Sequence, residues 1–251
     1  MDLGPKACAV RDLRECWATD RGWSAMDFYK LIKSLDALVF EVLSWLYFYP
    51  RTLIRTLLRP VALMADTRKL MDEDDEPAWG DRIGPPLFLA LTLVVIHFIE
   101  EAMGIEAAAE FENPEIKELM SDDTNLVAMR VILFGVLPLL AAVRELKVRG
   151  IEANRIDIEA PFYAQCYAAA GYAVLVNCAF LLAQYLSATN EVASAFTLLG
   201  GVAVSAVWIG LVEARWFHRS LGLTRGQAFR QASLVLLQWL AIGVAISFVL
   251  V

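Results

Sequence analysis

Charge, histidine and cysteine are all scarce in this chain. Of 251 residues only 20% are charged, against 58% apolar, and there are 2 histidines and 4 cysteines. Soluble domains average about 25% charged and 45–50% apolar on a closely similar count. The deficit excludes a disordered chain, and together with the mean hydropathy of +0.52 it also excludes an ordinary cytosolic enzyme. Four cysteines are too few for a secreted disulfide scaffold. Cys8 and Cys16 share a polar tail without a CxxC pair or a nearby histidine, which argues against a zinc or redox centre. Cys166 and Cys178 stand about 18 Å apart along a helix and cannot bridge within it. All four are expected as reduced thiols. No basic tract has the footprint of a nucleic-acid site. GxSxG, HExxH, P-loop and strand-preceded GxGxxG patterns are all missing, and His218 has no partner at ligand spacing. The expectation is a protein that is not an enzyme and carries no cofactor or metal.

The chain does have long apolar runs. Five reach or approach the ~20 residues a membrane helix needs, at about 86–104, 125–144, 161–187, 192–214 and 227–251. The predicted fold is an all-α polytopic membrane helix bundle of five transmembrane helices. It divides into a polar cytosolic tail (1–25), an amphipathic interfacial arm with an acidic loop (26–84) and the five-helix domain (85–251). The N-terminus has no basic region followed by an apolar core and a cleavage site, so insertion is expected through the internal spans.

Basic residues set the expected orientation. Twelve Lys and Arg precede the first span, whereas the loop at 105–124 holds only Lys117 against seven acids. Arg144, Lys147, Arg149 and Arg155 mark the next loop, the loop at 186–191 has no basic residue, and Arg215, Arg219, Arg225 and Arg230 flank the last. The alternation predicts a cytoplasmic N-terminus and a periplasmic C-terminus, in a bacterial inner membrane.

In the arm, Leu31, Leu35, Leu38, Val39, Val42, Leu46 and Tyr49 recur at helical spacing, and Pro50 is expected to end or bend the run. Arg51, Arg55 and Arg59 follow at spacing four among leucines. Such a stripe suits a helix lying in the interface with its guanidiniums on anionic lipid headgroups. It equally suits an amphipathic helix packing on the protein's own spans. The run from Asp72 to Glu76 reads as a solvated acidic loop.

Within the spans, His97, Glu100 and Glu101 lie near the end of the first and Arg130 near the start of the second. At ~1.5 Å per residue Glu100 is about 21 Å into a ~30 Å core, and Arg130 about 8 Å in from the opposite side. Those depths nearly coincide. Three readings follow: headgroup anchors with Arg130 snorkelling outward, a structural salt bridge between two helices, or a polar relay for a proton or ionic substrate. Gln165, Asn177 and Gln184 in the third span are expected to hydrogen-bond across helices. Pro138 should kink the second. Gly171, Gly201, Ser205 and Gly210 are small residues that permit close helix approach, within one chain or between copies in a homo-oligomer.

The proline-broken amphipathic arm, the five spans and the outward C-terminus resemble the Yip family of Rab-interacting five-span membrane proteins, its bacterial members in particular. Gly84-Pro85-Pro86-Leu87-Phe88-Leu89, Ala169-Ala170-Gly171-Tyr172 and Leu221-Gly222-Leu223-Thr224-Arg225-Gly226-Gln227-Ala228 carry the likeness, which spans about 30–251. The Asp-Leu-Tyr-Gly-Pro sequence of eukaryotic members is not present. The resemblance implies a five-span domain of membrane-organising or permease-like character, with no catalytic residue to transfer. Two functions result: a scaffold or accessory subunit partnered by lipid, other membrane proteins or itself, or a proton-coupled carrier using His97, Glu100, Glu101 and Arg130.

Overall fold

The computed structural model describes residues 21–73, 79–80, 82–105, 117–118 and 121–250. Most of the expected tail with Cys8 and Cys16, the acidic run from 74 on and the loop at 106–116 lie outside them, as do the side chains of Leu31, Leu35 and Leu38. The described residues form seven helices: α1 (Arg21–Leu58), α2 (Pro60–Glu73), α3 (Pro85–Ala102), α4 (Asp123–Arg149), α5 (Arg155–Ser187), α6 (Glu191–Leu221) and α7 (Arg225–Leu250). The described residues contain no strand. Helices α3 to α7 are each long and apolar enough to cross a membrane, with mean hydropathy from 1.5 to 2.4 over their best windows. The chain is therefore an all-α, five-span membrane protein.

The helices overrun the apolar runs because their ends are set by capping rather than by hydrophobicity. The Asp122 carboxylate accepts from Thr124 and Asn125 N–H groups at 2.8 and 3.3 Å to start α4. Asn154 does the same for α5, accepting from Ile156 and Asp157 at 3.0 and 2.9 Å. Asn190 starts α6 through the N–H of Ala193 at 3.0 Å. At α7, the Gln227 side chain accepts from the Thr224 N–H at 3.1 Å and the Gln227 N–H donates back to the Thr224 hydroxyl at 3.4 Å, a reciprocal capping box. Gly150 and Gly222, at φ 72 and 64, close α4 and α6 in the left-handed conformation that only glycine adopts without strain.

Two compact units make up the chain, Met1–Phe48 and Tyr49–Val251. In the first, α1 exposes Phe40, Leu43, Leu46 and Tyr47, and the Ser44 hydroxyl bonds back to the Phe40 carbonyl at 2.7 Å. Of the two outcomes expected at Pro50, an end or a bend, the helix does not end there: α1 continues through it to Leu58, and the break falls at Arg59. Tertiary packing explains the difference, because Thr52 and Thr56 just beyond the proline are fully buried and hold that segment against the spans. Helix α2 then opens on Pro60, where a first-turn residue has no intrahelical N–H bond to lose.

In the second unit, the end of the arm packs on the protein's own spans. Thr52 and Thr56 face inward, Tyr49 stacks on Phe88 at 5.5 Å, and α2 buries Pro60, Leu63, Met64 and Thr67. Burial pushes the Tyr49 phenol above its ordinary pKa, against a smaller downward pull from a hydrogen bond with Thr92. Helix α5 is the axis, in contact with α2, α3, α4 and α6. Its ten residues from Ala164 to Ala173 are all buried, as befits a helix covered on every side. Pro138 and Pro161 both sit inside helices that run on through them. The outer faces of α6 and α7 expose Val192, Phe196, Leu199, Val207, Leu237 and Leu240, the apolar belt that a lipid environment requires.

Small residues set the helix spacing. A Cβ on Gly171 would lie 2.6 Å from the Trp208 ring and 3.1 Å from the Thr56 methyl, and one on Gly201 would lie 2.2 Å from the Ala179 Cβ. Ser205 is buried and its hydroxyl donates to the Gly201 carbonyl at 2.8 Å. Gly210 is looser, with Leu236 at 3.6 Å. All four expected packing residues thus meet neighbours of the same chain. Gly201→Val should destabilise the bundle by about 1–3 kcal/mol through overpacking, with Gly210→Ala close to neutral. Unfolding in mixed micelles checks this; equal effects of the two would contradict the close α5–α6 approach.

Candidate functional site

An unpaired charge or polar group inside a span costs several kcal/mol, so the positions of these groups show what the bundle is built around. The expected cluster is partly assembled. Arg130 of α4 and Glu100 of α3 form an ion pair, and Glu100 is only 2% exposed. His97 is buried too, but its Nε2 lies 3.6 Å from the Asp123 carboxylate, longer than a hydrogen bond. Glu101 is exposed and takes no part. Helical geometry explains the division: Glu100 and Glu101 point about 100° apart, so only one can face α4. The anchor reading fits Glu101 alone, while the burial of Glu100 places its carboxylate among helices.

The ion pair opens on a crevice of about 260 Å³ between α3, α4, α5 and α6. Leu93, Ile96, Phe134, Phe180 and Val202 form apolar walls, and Asn177 is the remaining polar group. The Asn177 amide donates to the Ala173 carbonyl of its own helix at 2.8 Å instead of crossing to a neighbour. Gln165 does cross: its amide donates to Glu213 of α6 at 3.0 Å, both residues almost completely buried.

A third set lies near the end of α4. Glu145 has no solvent exposure. Its carboxylate accepts from Arg68 of α2 at 2.8 Å and from the Trp216 indole of α6 at 2.9 Å, and Arg149 pairs with it at 2.7 Å. One residue earlier, Arg144 donates to Gln231 of α7 at 2.6 Å. Sequence reasoning missed Glu145 and Arg68 because it ended the second span at 144 and assigned what followed to a loop. The unbroken helical register through Leu146 to Gly150, with Glu145 and Arg149 at spacing four, was the signal available.

The arginine stripe is divided. Arg55 and Arg59 line a cleft of about 410 Å³ with Arg82, Asp66, Ala62 and Leu63, whereas Arg51 is exposed outside it. Cys166 is a buried free thiol and Cys178 an exposed one. Among the described residues no group of three or more His, Cys, Asp and Glu converges on a metal-sized site. Comparison with protein-family models, curated proteins and solved structures returns no match.

The Glu100–Arg130 pair predicts strong coupling. Arg130→Met leaves a buried carboxylate unpaired and should cost about 3–5 kcal/mol, and Glu100→Gln added to it should restore a large part of that loss. A double-mutant cycle of micelle unfolding measures this; additive effects would contradict the pair.

Proposed function

We propose that this membrane protein is a non-enzymatic, membrane-organising scaffold or accessory subunit of a membrane complex. The observation that carries the reading is how the buried polar groups are used. Glu100 with Arg130, Gln165 with Glu213, and Glu145 with Arg68 and Trp216 each join one helix of this chain to another. Groups committed to helix pairing support a bundle that holds a shape and presents surfaces, which is what an organising role asks of it. The likeness to bacterial Yip-family members supports the same assignment. In this proposal the protein sits in a bacterial inner membrane, with its N-terminus cytoplasmic and its C-terminus periplasmic, following the alternation of basic loops.

A second reading has its own observation. The crevice beside Glu100 and Arg130 is apolar with one charged wall, a form suited to a small amphipathic or ionic substrate crossing between helices. In that case Arg130 holds the anionic part of the cargo and Glu100 exchanges partners as it passes. A carrier would require the pair to open.

Reconstitution separates the two. In proteoliposomes the scaffold reading predicts proton and small-anion flux equal to that of empty vesicles, and crosslinking in native membranes yields a stoichiometric complex with another membrane protein or a second copy. Flux abolished by Glu100→Gln would replace it with the carrier. A reporter fused at the C-terminus should be active only outside the cytosol; activity inside would invert the proposed orientation.

A further inference from the structure

We infer that the basic ends of α4, α6 and α7 form a docking surface for the headgroups of anionic phospholipids in the adjoining leaflet. The inference rests on the five-span architecture and is independent of both the accessory role and the proposed orientation. The end of α4 (143–149), the end of α6 (211–221) and the start of α7 (225–232) hold seven Lys and Arg against two acids, Glu145 and Glu213. Both acids are buried and bonded inward, Glu145 to Arg68, Arg149 and Trp216, and Glu213 to Gln165. Arg144 is committed to Gln231. The other five, Lys147, Arg215, Arg219, Arg225 and Arg230, are exposed and have no ion pair or side-chain hydrogen bond among the described residues.

The fold holds these ends together. Arg144 on Gln231 at 2.6 Å joins α4 to α7, and the Trp216 indole on Glu145 at 2.9 Å joins α6 to α4. The chain passes from α6 to α7 in three residues, with Gly222 at φ 64 and the box between Thr224 and Gln227 fixing the turn. Arg219 and Arg225 flank that turn, so their charges cannot drift apart.

The surface leading to these charges identifies the occupant. On α6, Val207, Leu211, Arg215 and Arg219 recur at spacing four, and all are exposed. On α7, Val244, Leu237 and Arg230 recur at spacing seven, and all are exposed. Each row is an apolar, outward-facing strip that ends in a guanidinium. Arg215 stands about 35 Å along α6 from Val192, and Arg230 about 30 Å along α7 from Leu250, against a ~30 Å hydrocarbon core. An acyl chain lying on either row therefore carries its phosphate to the arginine at the row's end. A soluble acidic partner would meet the charges and leave the rows bare. Guanidinium forks match phosphate oxygens in bidentate geometry, and unpaired basic residues at a membrane surface attract anionic lipid.

The test is native mass spectrometry of the full chain in mild detergent, titrated with phosphatidylglycerol or with phosphatidylcholine. Phosphatidylglycerol should be retained and phosphatidylcholine lost. Arg215→Gln and Arg230→Gln should each lower retention about fivefold, the contribution of one basic residue near an anionic surface. Neither side chain has a partner in the chain, so both variants should unfold in micelles as the parent does. Leu237→Asn keeps every charge but interrupts a row, and should lower retention about threefold through lost apolar contact. Arg155→Gln removes an exposed arginine at the start of α5, among Glu152, Asp157 and Glu159, and should stay within about twofold of the parent. A loss in Arg155→Gln equal to that in Arg215→Gln would overturn the surface in favour of diffuse charge. Unchanged retention in Leu237→Asn, or displacement of the lipid by millimolar inorganic phosphate, would overturn the lipid as its occupant.

Discussion

Glu145 is a carboxylate with no solvent exposure held by two arginines and an indole. Burying such a charge is costly, and the cost is offset only when the geometry is good and its lone pairs are used. Here one side chain takes donors from α2, from α6 and from its own helix. That arrangement docks the arm onto the spanning bundle. Without Arg68, the short α2 would depend chiefly on its buried Pro60, Leu63, Met64 and Thr67; with it, α2 is tied to the end of α4 and to α6. Arg144 to Gln231 at 2.6 Å and Trp239 to the Leu133 carbonyl at 3.1 Å extend the linkage to α7.

The same logic runs through the bundle. Lipid tails are as apolar as leucine, so helix association in a membrane cannot draw on hydrophobic burial as it does in water. Close approach and polar bonds must replace it. Helix α5 supplies the close approach, with Ala168 to Gly171 and Ala173 buried on all sides and Ala179 against Gly201. Polar bonds supply register: Gln165 with Glu213, Glu100 with Arg130, and the Ser194 hydroxyl to the Ala183 carbonyl at 2.8 Å each join facing positions at a different level. The cleft at Arg55, Arg59 and Arg82 follows from this docking, since it exists only where α1, α2 and the segment before α3 are held together.

Much of the fold was legible because hydrophobic length and loop chemistry are local properties. Each of the five spans can be read within its own apolar run. The matching depth of Glu100 and Arg130 was legible too, by simple arithmetic on antiparallel neighbours, but that arithmetic left anchor, structural pair and relay open. What escaped was non-local. Nothing near Glu145 indicates that Arg68, 77 residues away, will reach it. Nothing near Arg59 points to Arg82, whose neighbour Ile83 is held through its carbonyl by the Tyr167 hydroxyl of another helix. At Pro50, of the two outcomes its local chemistry allows, an end or a bend, the end is excluded by tertiary packing, since Thr52 and Thr56 are buried just beyond it.

The central claim is that Glu145 docks the arm on the spans, and hydrogen exchange across α2 tests it most directly. In Glu145→Ala, the backbone amides of α2 beyond Pro60 should exchange about 100-fold faster than in the parent, the consequence of losing ~3 kcal/mol of local stability. The amides at the centre of α5 should stay protected. Unchanged exchange in α2 would contradict the account, because the arm would then be held by its apolar contacts alone.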